Sequence, residues 1–146
     1  MAVGRIRLPL ARNELKRLVE ERRKEVEALL ASRNYSGAYY LSGYIIELAL
    51  KVCIAKNMRR NVIPARQFID SIYTHDLDKL IGVADLRDNL TQEGRLSDDF
   101  TANWKEVSLW NEESRYRRWT RSDAMSLYRA ITDEDHGVLR WIMQYW

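Results

Sequence analysis

Residues 37–56, GAYYLSGYIIELALKVCIAK, are long enough for about five helical turns and are apolar on nearly every side. A helix of that kind belongs at the centre of a bundle. Two charges interrupt it, Glu47 and Lys51, one turn apart. An acid followed four residues later by a base is the favourable order on one helix face. Charges in so apolar a setting are costly unless they are partnered. Glu47 is therefore expected to be a structural ion-pair and hydrogen-bond node, or to line a dimer seam or ligand cleft.

The 146 residues suit a single domain over 1–146, with a core able to bury about two thirds of the unfolded surface. Two prolines and six glycines argue against a β fold rich in tight turns. The formal charge of +3 permits a nucleic-acid partner without requiring one. Cys53 is the only cysteine, which excludes an internal disulfide and fits a reducing, cytoplasmic compartment. The first residues lack the apolar core and cleavage pattern of a signal peptide. Residues 37–55 approach transmembrane length, but Glu47, Lys51 and three tyrosines argue against a span.

Leu15, Leu18, Val19, Val26, Leu29 and Leu30 recur at helical period and predict an amphipathic helix over residues 12–33, with Pro9 near its entry. Asn34, Ser36 and Gly37 mark a break before the central helix, which runs to about Asn57. A short helix is expected from Pro64 to Tyr73. Another is expected after Thr74 as N-cap, with Asp76 and Asp78 in its first turn. A further short helix falls within residues 85–94. Phe100, Trp104, Val107 and Trp110 predict one over residues 97–110. Residues 111–120 read as irregular. Thr120 or Ser122 caps a helix reaching Ile131, and Thr132 with Asp133–Asp135 has the composition of a new helix start. Whether 122–146 is one helix or two stays open. The fold expected is all-α, an up-and-down bundle of four main helices or more.

Three sets of residues carry candidate chemistry. Arg115, Tyr116, Arg117, Arg118, Trp119 and Arg121 join phosphate-binding cations to rings able to stack on bases. The alternative is a loop whose aromatics pack back onto the bundle. Glu47, Lys51 and His75 are structural or line a cleft. The two histidines, one cysteine and scattered acids provide no zinc spacing, so no metal or other cofactor is expected.

GYIIELALKV, SIYTHDLDKLI (residues 71–81), SRYR after Trp110, and HGVLRWI (residues 136–142) resemble, in that order, the segments of HEPN domains. The resemblance implies a helical bundle that dimerises and acts in bacterial defence, toxin–antitoxin or RNA-processing systems. Its partners would be RNA or a protein such as a nucleotidyltransferase. Catalytic members are metal-independent ribonucleases with an Arg, about four to six residues, then a His, at a dimer interface. Only Arg129 and His136 fit that spacing, at its upper limit. Ala130 stands where a polar residue is usual, and three acids crowd the histidine. In an unbroken helix the pair would be roughly 10 Å apart along the axis. Three functions follow as alternatives: a noncatalytic module binding RNA or a protein, favoured by the departure from the motif; an endoribonuclease using Arg129 and His136; or a scaffold or antitoxin-like subunit.

Overall fold

The computed structural model describes residues 10–146, which form α-helices and one 3-10 turn without a strand among the described residues. Pro9 lies outside the described residues. In chain order the helices are α1 (Arg12–Ala31), α2 (Tyr35–Asn57), α3 (Arg66–Ile72), α4 (Leu77–Val83), α5 (Arg87–Leu96), α6 (Asp98–Ser108), α7 (Arg121–Thr132) and α8 (Val138–Met143). The 3-10 turn Glu112–Tyr116 joins α6 to α7.

The bundle is built around α2. Ala38, Ile45, Ile46, Ala49, Leu50 and Val52 are fully buried in the core. α1 packs along its length through Leu15, Val19 and Val26, while α4, α7 and α8 close the other sides. α6 packs on α7 and α8, placing Phe100 against Trp141 with ring centroids 5.2 Å apart. α2 has the length and hydropathy to cross a membrane, yet 67% of that stretch is buried inside the bundle. This is compatible with a soluble protein.

Several boundaries differ from expectation for local reasons. The α1–α2 turn places Arg33, not Gly37, in the left-handed region (φ 61°), and Gly37 lies inside α2 against Leu29. Thr74 does not cap α4; its hydroxyl accepts from the Asp76 N–H, and Asp76 is the cap, accepting from the Lys79 N–H at 3.1 Å. Residues 122–146 hold two helices, but Thr132 ends α7 instead of opening α8. Its hydroxyl donates to the Tyr128 carbonyl at 2.8 Å, and Gly137 is the N-cap of α8. A Cβ at 137 would sit 2.3 Å from the Asp133 carbonyl oxygen, so the tight connection requires glycine.

Candidate functional site

Glu47 lies mid-way along α2 with its side chain only 5% exposed. Lys51 Nζ donates to its Oε1 at 2.8 Å, as the one-turn spacing implies. The second partner comes from far along the chain. His75 Nδ1 is 3.0 Å from both Oε1 and Oε2. Leu77, Leu80 and Ile81 are buried in the core, and this anchors α4 so that the residue preceding its cap falls over Glu47. The carboxylate thus has two nitrogen partners, which is what a buried charge requires.

A carboxylate can only accept, so Nδ1 carries the proton and Nε2 is the nitrogen left for other work. Nε2 has no hydrogen-bond partner among the described residues, and the His75 side chain is 44% exposed. Such an imidazole can take a proton from a ligand at Nε2 or, once protonated, donate to an anion.

The same face of α2 continues as a row of hydroxyls. Tyr44 meets the His75 ring edge-on, with centroids 6.0 Å apart, and its hydroxyl is 3.0 Å from that of Tyr40. Burial, the Tyr40 hydroxyl and the nearby Glu47 together push the Tyr44 phenol well above its ordinary range. The Tyr116 hydroxyl and then the Tyr40 hydroxyl raise the Arg115 guanidinium. Tyr40, Tyr44, Glu47 and Lys51 therefore form one line, with His75 towards one end and Arg115 at the other. The sequence spacing of 40, 44, 47 and 51 carried this signal. Nothing local in the sequence reveals what packs beside the tyrosines.

Beyond Arg115 the arginine segment is split between anchoring and exposure. Trp119 stacks on Tyr39, with centroids 3.7 Å apart and planes at 11°, and its Nε1 donates to the Ser114 carbonyl at 2.9 Å. Its backbone N–H donates to Ser36 Oγ. Tyr116 is instead 73% exposed, with Arg115 over its ring at 4.8 Å. Arg115, Arg117, Arg118 and Arg121 are all exposed, and none has an ion-pair partner among the described residues.

Arg129 and His136 are placed on either side of the α7–α8 turn, with no bond between them among the described residues. Arg129 is exposed in the last turn of α7. His136 is held on four sides. Nδ1 bonds Ser97 Oγ at 3.0 Å, and Nε2 is 3.7 Å from Asp99 Oδ2. Its N–H donates to Asp133 at 2.6 Å, and its carbonyl accepts from Asn103 at 2.9 Å. These contacts tie the turn to the start of α6. The His136 and Asp135 N–H groups hold the Asp133 carboxyl below its ordinary range.

No group of three or more His, Cys, Asp or Glu side chains is placed to hold a metal ion among the described residues. Cys53 is 1% exposed, and burial pushes its thiol up to about 11. An apolar cleft of about 690 Å³ opens between α2 and α3, lined by Leu15, Ile54, Met58, Ile69 and Tyr73, with Lys51 at its wall. No family model, curated protein or solved structure matches the chain.

Proposed function

We propose that this chain is a noncatalytic, HEPN-like module that binds RNA through the segment 115–121. The observation that carries the reading is the division of labour within that segment. Trp119 fixes the backbone to α2, so four exposed arginines without acidic partners are presented from a rigid base. Unpaired arginines held in place neutralise phosphates at little ordering cost. Tyr116 adds an exposed ring, with Arg115 over one face, for base stacking. The noncatalytic part of the reading is supported by His136, whose two ring nitrogens face Ser97 and Asp99.

The test is RNA binding by anisotropy over a salt series, with a parallel incubation in EDTA to detect cleavage. Binding is expected to weaken steeply with salt. Arg117→Ala, Arg118→Ala and Arg121→Ala should each lower the salt slope by about one. Affinity indifferent to salt and to all three substitutions would sink the assignment. Cleavage abolished by both Arg129→Ala and His136→Ala would establish a ribonuclease instead.

A further inference from the structure

The arginine segment and the buried Glu47 are joined by a continuous row of polar side chains. The 3-10 turn that carries Arg115 packs on α2, Tyr40 meets Tyr44 at 3.0 Å, and Tyr44 meets His75 edge-on. Trp110 supports the row from beneath, 5.0 Å from Tyr44 between centroids, and donates its Nε1–H to the Tyr40 carbonyl. At the far end Glu47 and Lys51 cancel one another's charge at 2.8 Å. Uptake of one proton by His75 therefore leaves the cluster with one net positive charge. The new donor is Nε2–H, on a side chain 44% exposed.

The charged groups around His75 are few. α2 supplies Glu47 and Lys51, and Tyr44 contributes a phenol. On the α3–α4 connection, Asp76 accepts from the Lys79 N–H, at the start of α4. The other histidine, His136, has both ring nitrogens facing protein side chains.

We propose that His75, oriented by Glu47, is a second phosphate contact on the surface that begins at Arg115, and that it engages the RNA backbone only when protonated. The proposal rests on the RNA-binding reading and adds a site and a regulator to it. A single strand suits the row, because its backbone follows a line of separate contacts and its bases are free to stack on Tyr116. Imidazole changes charge between about pH 5 and 8, so grip at this end tightens as pH falls.

The experiment uses the full chain and a fluorescent single-stranded RNA of about twelve nucleotides. Affinity is measured at about pH 6 and about pH 8 at constant salt. The unaltered protein is expected to bind about five- to tenfold more tightly at the lower pH. His75→Gln should bind like the unaltered protein at the higher pH and lose the gain at the lower one. A pH response that persists in folded His75→Gln overturns the proposal while leaving the arginine segment intact. Absence of RNA binding at both pH values overturns the RNA-binding reading, and this site with it. NMR of the His75 ring needs no variant: RNA must move its titration to higher pH, and an unmoved titration overturns the proposal.

Discussion

Trp110 fills the space that any side chain at Gly43 would need: a Cβ there would lie 1.9 Å from Trp110 Cδ2. The glycine lets the indole sit directly against α2, 2% exposed, with Tyr44 against its ring. Gly43→Ala gains helix propensity but must expel the indole. Overpacking of this kind costs about 1–3 kcal/mol. Chemical denaturation should show the loss and near-UV circular dichroism the displaced tryptophan. A variant as stable as the parent would refute this account of the seat.

The Glu47–Lys51–His75 cluster should behave as a buried charge network. Glu47→Ala leaves Lys51, 12% exposed, without its carboxylate, and should cost about 3–5 kcal/mol. Glu47→Leu combined with Lys51→Met removes both charges and should recover much of that loss. The denaturation midpoints of the single and double variants decide it: a double variant no better than Glu47→Ala would mean that the damage comes from lost packing.

Thr120 and Asp123 form a reciprocal cap at the start of α7. The Thr120 hydroxyl accepts from the Asp123 N–H, and the Asp123 carboxylate accepts from the Thr120 N–H at 2.9 Å. Thr120→Ala should cost about 1 kcal/mol. The Thr120 backbone N–H, then its hydroxyl, hold the Asp123 carboxyl below its ordinary range. A depressed carboxyl contributes stability that is present above the ordinary range near about pH 4 and is lost as pH falls through the folded value. Solvent screening limits that contribution to a few tenths of a kcal/mol. Acid titration of the stability difference between the parent and Asp123→Asn should show it shrinking below about pH 4.

Cys53 should be inert in the folded protein. Its thiol is buried beside the Ile142 carbonyl and raised to about 11, so little thiolate exists near neutral pH. Alkylation followed by mass spectrometry should show an unmodified chain under native conditions and full modification in denaturant. Rapid native alkylation would place Cys53 at a surface.

The all-α architecture, the central place of α2 and the Glu47–Lys51 pair follow from the sequence alone. Each depends on periodicity or on a spacing of one turn, and a local physical rule covers both. A cap at Thr120 or Ser122 was legible for the same reason, and Thr120 is the one that caps α7. Tertiary structure decided what lies beside α2 across the chain. His75 reaches Glu47 from 28 residues away, Trp110 reaches Gly43 from 67, and Trp119 finds Tyr39 from 80. No spacing rule ranks two histidines when one partner is distant. In the sequence His136 stands out only because an arginine lies upstream at the upper limit of a family-like interval. The fold puts His136 Nδ1 on Ser97 Oγ, with Nε2 3.7 Å from Asp99, and puts His75 Nδ1 on Glu47. Which ring nitrogen is bonded, and to what, depends on how α4 and α6 dock on the bundle.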